Sequence, residues 1–275
     1  MESHVKDHYH THDLPLKIKD ALEKTGQDFS QLAIKNLASV DQLHTGGAPA
    51  TISLIKKANL PANAAILDAG CGIGGSSRLL AKNFNFQVTG IDLAPAFVET
   101  AQVVTQWYKL EQSICYEQGS VLDLPLENDS FDAVLCQHIL MNIQDKETAL
   151  KEFNRVLKPG GKLILHEIFQ GKNKDEPIAL PVPWAGDASI SFLESWKNFE
   201  PCLGNAGFTL DYLSDESQPS LEWWQMVNAF GKKRKPRPLG SHLVFGENSA
   251  FFGPNMEKNF KNNTIQCIEA VFKKS

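Results

Sequence analysis

The sequence predicts an α/β fold, a mostly parallel sheet with helices on both faces. Three observations predict it. From Ala64 onward, short apolar runs of strand length alternate with stretches at helical spacing, joined by connections long enough for helical crossovers. A glycine-rich turn, Ile66-Leu67-Asp68-Ala69-Gly70-Cys71-Gly72-Ile73-Gly74-Gly75, links the first of these strands to the first of these helices. Two further strand-like runs, Phe208–Leu213 and Thr264–Lys273, follow late in the chain.

Up to about Leu60 the chain reads as helical. Leu14, Ile18 and Leu22, then Leu32, Ile34, Leu37 and Val40, fall near helical spacing. His44-Thr45-Gly46-Gly47 breaks that pattern and Thr51 to Ala58 resumes it. Met1 to Asp13 reads as a polar, loose tail without the apolar core of a secretory signal. The strands then follow at Ala64–Asp68, Phe86–Ile91 (closed by Asp92), Ser113–Gln118, Phe131–Cys136 and Lys162–Phe169. Between them Ser76–Asn83 is helical, and Pro95 suits the first position of the next helix, where its missing N–H leaves no bond unmade. Asn128-Asp129-Ser130 signals a turn. Lys146–Leu157 is an amphipathic helix with Ala149, Leu150, Phe153, Val156 and Leu157 on one face and Asp145 as N-cap. Pro159-Gly160-Gly161 is expected to stop it. The proline-rich stretch Gly171–Trp196 reads as irregular. This divides the chain into an N-terminal helical lid, 1–60, and a sheet domain, 61–275, with insertions at 171–196 and 215–262.

Bulk properties narrow the function. The net charge of −5 disfavours nucleic acid and anionic membranes as partners. No apolar run is long enough to insert in a membrane. The five cysteines are odd in number and form no CxxC pair, which fits reduced thiols in a cytoplasmic protein.

Gly70, Gly72 and Gly75 satisfy G-x-G-x-x-G between a strand and a helix, a pattern that suits NAD or FAD equally well. Asp68 separates the readings. A carboxylate two residues before the first glycine repels a pyrophosphate but suits a ligand offering a cation there. Asp92, 24 residues on at the end of the second strand, stands where an acid accepts from ribose hydroxyls. Together they describe an adenosine ligand with a cationic tail and no phosphate, which is S-adenosylmethionine.

Ile66 to Gly75, Val88 to Asp92, Phe131 to Val134 and Arg155-Val156-Leu157-Lys158-Pro159-Gly160-Gly161 resemble the successive motifs of class I methyltransferases. The resemblance covers about Ala64 to Gln170. It implies a Rossmann-like seven-stranded sheet whose last two strands form an antiparallel hairpin. Asp41-Gln42-Leu43-His44-Thr45-Gly46-Gly47 and Pro181-Val182-Pro183-Trp184-Ala185 resemble the small-molecule branch, with its ubiquinone- and tocopherol-type and sarcosine/dimethylglycine enzymes. The resemblance implies that Asp68, Gly70, Cys71, Gly72 and Gly75 surround the methionine part and Asp92 the ribose. Leu93, Ser120 and Val121 then meet the adenine, with Ser120 replacing the family's usual acid. Gln137 meets the cofactor, and Asn142 stands where many relatives carry a histidine.

Methyl transfer is an in-line displacement at a sulfonium, leaving S-adenosylhomocysteine, and rests largely on alignment in a dry site. Open α/β sheets bind ligands at the carboxyl ends of their strands. Candidates for acid–base work or substrate orientation are therefore His138, His166 and Glu167, with His44, Met141, Asn142 and Trp184 as acceptor or lid residues. Each has a plainer reading. His138 suits a packed, hydrogen-bonded histidine, and Trp184 suits the core. Alternation lets only one of His166 and Glu167 face a pocket. Trp223 and Trp224 read as packing. The histidines at 4, 8, 10 and 12 lack any supporting shell, so no metal is expected there, and Lys232-Lys233-Arg234-Lys235 reads as a solvated loop. The rival functions are a nucleic-acid or protein methyltransferase, an NAD(P)-dependent oxidoreductase, and a silent cofactor-binding module. The oligomeric state stays open, between monomer and homodimer.

Overall fold

The computed structural model describes residues 2–9, 13–232 and 237–275. Its strands are β1 (Ala65–Ala69), β2 (Gln87–Asp92), β3 (Ile114–Gln118), β4 (Phe131–Gln137), β5 (Leu157–Gln170), β6 (Phe208–Asp215) and β7 (Ile265–Lys274). Among the described residues these form one seven-stranded sheet in the order β3-β2-β1-β4-β5-β7-β6. β1 to β5 pair in parallel, and β7 is antiparallel to both its neighbours. The expected antiparallel closing pair is therefore present. The helices Ser217–Lys232 and Ser249–Lys261 join its strands, so it is no tight hairpin, and β7 inserts between β5 and β6.

Period-two alternation in the strands builds two apolar layers. Leu67, Val134 and Leu163 enter one with Phe153 and Phe199. Their neighbours Ile66, Leu135 and Ile164 enter the other with Leu54 and Ile55. The central strands are buried on both faces and so read as continuous apolar runs. The chain runs from β1 out to β3 and returns to β4 on the far side of β1. This reversal opens a crevice at the carboxyl ends of β1 and β4, where such folds bind ligands.

Several local expectations hold. Pro95 opens the helix Pro95–Trp107. Asp145 caps Lys146–Val156, its side chain accepting from the Thr148 amide at 3.0 Å. Two expectations are corrected. Pro159-Gly160-Gly161 does not precede β5 but lies within it. Leu157 pairs with Phe131 and Lys162 with Ala133, and a register shift absorbs the residues between. The polar N-terminus is not a loose tail: Glu2–His8 is a helix. The insertion at 215–262, for which no elements were expected, is largely helical among its described residues. The basic run at Lys233–Lys235 lies outside the described residues, as do His10 and His12.

Candidate active site

The glycine turn is held from the β2 side. The amides of Gly70 and Cys71 both donate to the Ile91 carbonyl, at 2.8 and 2.9 Å. The Gly72 amide donates to Asp92 Oδ2 at 2.8 Å, while Asp92 Oδ1 accepts from the Ala94 amide at 2.9 Å. Gly70 and Gly72 have left-handed φ values of +69° and +54°, which favour glycine. A Cβ on Gly70 would strike Ile139 Cγ2 at 2.2 Å, whereas one on Gly72 would meet nothing within 4 Å. The open side of Gly72 is the cavity. Gly75 serves a different purpose: a Cβ there would lie 1.9 Å from the Asp41 carbonyl. It lets the helix Gly75–Phe84 touch the N-terminal segment and is not part of the cavity wall.

One continuous cavity collects most of the sequence-predicted residues. On the β1–β3 side it is lined by Asp68, Cys71, Asp92, Leu93, Ser120 and Val121, with Gly70 and Gly72. On the β4 side it is lined by His44, Gln137, His138, Met141, Asn142 and Trp184. Asp68 is 2% exposed and accepts from Ser77 Oγ at 2.5 Å. Burial raises both Asp68 and Asp92 to about 6. The nearest guanidinium, Arg78, gives neither carboxylate a hydrogen bond. Its Nη2 donates to Asp41 Oδ2 and its Nη1 to the Ile73 carbonyl, both at 2.8 Å. Two desolvated carboxylates in a dry cleft fit a ligand that brings a cation and hydroxyl donors to stabilise their charged form.

The β4 side is a relay of polar side chains. Ser76 Oγ donates to Gln137 Oε1 at 2.9 Å, and Gln137 Nε2 donates to His166 Nδ1 at 2.9 Å. Thr51 Oγ1 lies 3.1 Å from Gln137 Nε2 and 3.0 Å from His44 Nε2. The rings of His138 and His166 are 4.8 Å apart, with His44 6.0 and 5.9 Å from them. Burial lowers all three imidazoles, His44 to about 4 and His166 to about 3. They are neutral at physiological pH, and as bases they are too weak to take a proton from most acceptors.

His138 and the His166/Glu167 pair part company here. His138 lines the cavity; His166 and Glu167 are buried behind the wall. Glu167 Oε1 accepts from the Ile139 amide at 2.9 Å, and Oε2 from the Leu140 amide at 3.2 Å. Cys136 Sγ donates to it as well, at 3.3 Å. Burial raises this carboxyl to about 7. Its work is to tie down the backbone that leaves β4.

Sequence reading expected a lid over 1–60 but missed that its first residues line the cavity. Glu2, Val5, Lys6 and Tyr9 lie along the cavity. Tyr9 Oη donates to Asn142 Oδ1 at 3.0 Å, and Glu2 accepts from Ser120 Oγ. Asn142 Nδ2 also donates to the carbonyls of Trp184 and Ile190, both at 2.8 Å, so Asn142 joins three segments. Trp184 is both things expected of it, a cavity wall and a core residue 1% exposed. Ser76 and Thr51 were also missed, as isolated hydroxyls carry no pattern.

Fold and cleft together define a Rossmann-like protein with a ligand-sized cavity at the carboxyl ends of β1 and β4. Residues 67–165 match the family model described as a methyltransferase domain. The chain is similar to 2-methyl-6-phytyl-1,4-hydroquinone methyltransferase of Synechocystis sp., 34% identical over 50% of this chain and 42% of that protein. It is similar to methyltransferase GfsG of Streptomyces halstedii, 27% identical over 66% of each. In structure it resembles geranyl diphosphate C-methyltransferase from Streptomyces coelicolor A3(2), solved with Mg2+, geranyl-S-thiolodiphosphate and S-adenosyl-L-homocysteine. The TM-score is 0.70 at 14% identity, over 100% of this chain and 98% of that one. The chain spans between 34% and 66% of the length of the first curated relatives it matches. No helix among the described residues is long and apolar enough to cross a membrane.

Proposed function

We propose that the protein transfers a methyl group from S-adenosylmethionine to a small-molecule acceptor inside this cavity. The observation that carries the reading is the pair of buried carboxylates, Asp68 and Asp92, on either side of a glycine turn whose open face is the cavity. Asp68, with Gly70 and Gly72, would hold the ammonium end. Asp92 would hold the ribose, and Leu93, Ser120 and Val121 the adenine. The cofactor supplies an activated methyl on a sulfonium. His44, His138, Met141, Asn142 and Trp184 would form the acceptor end, with residues 1–60 as its cover. The neutral imidazoles spare the sulfonium any repulsion, and His138 would orient the acceptor by hydrogen bonding. Enclosure and alignment then carry the displacement.

Calorimetric titration with S-adenosylmethionine, S-adenosylhomocysteine and NAD tests the cofactor half. Binding of the first two and silence toward NAD is expected, and the reverse refutes the reading. Asp92→Ala is expected to weaken cofactor binding at least about tenfold, as loss of hydrogen bonds to a charged acceptor does. A metabolite screen with labelled methyl donor tests the acceptor half. Label on RNA and on no small molecule would refute it.

A further inference from the structure

We propose that His138, His166 and Cys267 form a binding site for a zinc-type divalent ion beside the methyl-transfer cavity. These residues come from β4's exit, β5 and β7, three consecutive positions in the sheet. Gln137 pairs with His166, His166 with Glu269, and Ile168 with Cys267. His166 and Cys267 are thus diagonal neighbours on one face of the sheet. One nitrogen from each histidine and the Cys267 sulfur all lie within 4.8 Å of one another. Zinc–nitrogen bonds of about 2.0–2.1 Å and a zinc–sulfur bond of about 2.3 Å need each donor to move by less than about 1 Å.

The donor chemistry selects the ion. Two imidazoles and a thiol suit zinc-like ions and exclude magnesium and calcium, which take oxygen ligands. His138 Nε2 is buried and has no hydrogen-bond partner among the described residues. Its residue is held at a left-handed φ of 57°, a conformation disfavoured outside glycine. A buried polar atom at a strained residue calls for a ligand. A supporting shell is in place as well. Gln137, braced by Ser76 and Thr51, grips His166 Nδ1. With its amide reversed, Gln137 accepts from Nδ1–H and leaves Nε2 for the ion, and the two hydroxyls adapt because each both donates and accepts.

On binding, the Cys267 thiol loses its proton to solvent as the metal–sulfur bond forms, leaving one positive charge on the ion–thiolate unit. Three protein donors leave a fourth position for an exchangeable ligand. Because His138 lines the cavity while His166 and Cys267 are buried behind it, the ion would sit in the wall of the acceptor end.

The test is titration of metal-free, tag-free protein with Zn(II), and with Co(II) followed by absorption. The expected result is one ion per chain, with tetrahedral Co(II) bands in the visible and a thiolate-to-cobalt band in the near ultraviolet. Cys267→Ser should remove the near-ultraviolet band and weaken Zn(II) binding at least about 100-fold. Should that variant fail to fold, His138→Gln, on the cavity wall, should fold and show the same loss of affinity. A control with His4, His8, His10 and His12 all changed to Ala should bind as the parent does. No stoichiometric binding by the parent, a Co(II) adduct without the thiolate band, or loss of binding in the N-terminal control would each overturn the proposal. The metal result does not depend on cofactor binding, so either reading can fail alone.

Discussion

Replacing Asp68 with Asn separates stability from function at one atom. Asp68 is 2% exposed, and burial raises it from 3.8 to about 6. The folded protein therefore binds this proton more tightly than the unfolded chain does. The contribution of Asp68 to stability is fully present below pH 4 and is lost as pH rises through 6. A shift of about two units corresponds to about 3 kcal/mol. Asn has the same shape, still accepts from Ser77 Oγ, and carries no charge. In the cofactor-free protein, Asp68→Asn should thus match the parent near pH 4 and exceed it by up to about 3 kcal/mol at pH 7.5. Cofactor affinity should move the other way. A hydrogen bond between charged partners contributes about 1.5–3 kcal/mol, so its loss weakens S-adenosylmethionine binding by roughly 10- to 150-fold. In the parent, affinity should rise with pH up to about 6 and then level off. Urea unfolding at the two pH values and calorimetry measure both quantities. A variant less stable than the parent at pH 7.5, or one that keeps full affinity, would refute the reasoning.

Other perturbations probe the walls of the cleft. Asp41→Ala leaves the fully buried Arg78 guanidinium without its carboxylate. It should cost about 3–5 kcal/mol in urea unfolding. Gly75→Ala and Gly72→Ala should behave oppositely. At Gly75 the new methyl collides with the Asp41 carbonyl, so stability should fall by about 1–3 kcal/mol. At Gly72 the methyl enters open space, so stability should fall by only about 1–2 kcal/mol from backbone strain while cofactor affinity drops. Tyr9→Phe removes the bond to Asn142 and should change stability by about 1 kcal/mol. Its larger effect should be a raised KM for the acceptor, because the cover is loosened; an unchanged KM in steady-state assays would dissociate Tyr9 from the acceptor end.

The parts of this molecule that were legible in the sequence are those set by short-range rules. Strand alternation, the Asp145 cap, Pro95 at a helix start and the glycine turn each depend on neighbours a few residues away. The Asp68 and Asp92 positions follow from the same local frame, because each lies at the end of a strand. That the lid begins with a helix at its very start was not legible, since nothing in Met1 to Asp13 has an apolar period. Its helix is held by distant partners: Tyr9 packs on Phe97 and Phe245 and bonds to Asn142. The metal-ligand triad was invisible for the same reason. Its members are spread from residue 138 to residue 267, and only the insertion of β7 beside β5 brings them together.

Glu167 shows how sequence inference overlooks a backbone partner. An ionisable pair at a strand end, His166-Glu167, is costly to bury, so some compensating partner must exist. The inference that the partner was a substrate overlooked the backbone. The chain leaves β4 through His138 in a left-handed conformation, which turns the amides of Ile139 and Leu140 inward with no strand to receive them. Glu167, opposite on β5, takes both. The buried carboxylate and the strained turn each supply what the other lacks. Glu167 thus holds the backbone just after His138, whose side chain lines the cavity. The alternation that allowed only one of His166 and Glu167 to face a pocket sends them to opposite faces of β5, Glu167 to the β4 exit turn and His166 to Gln137 and the histidine cluster.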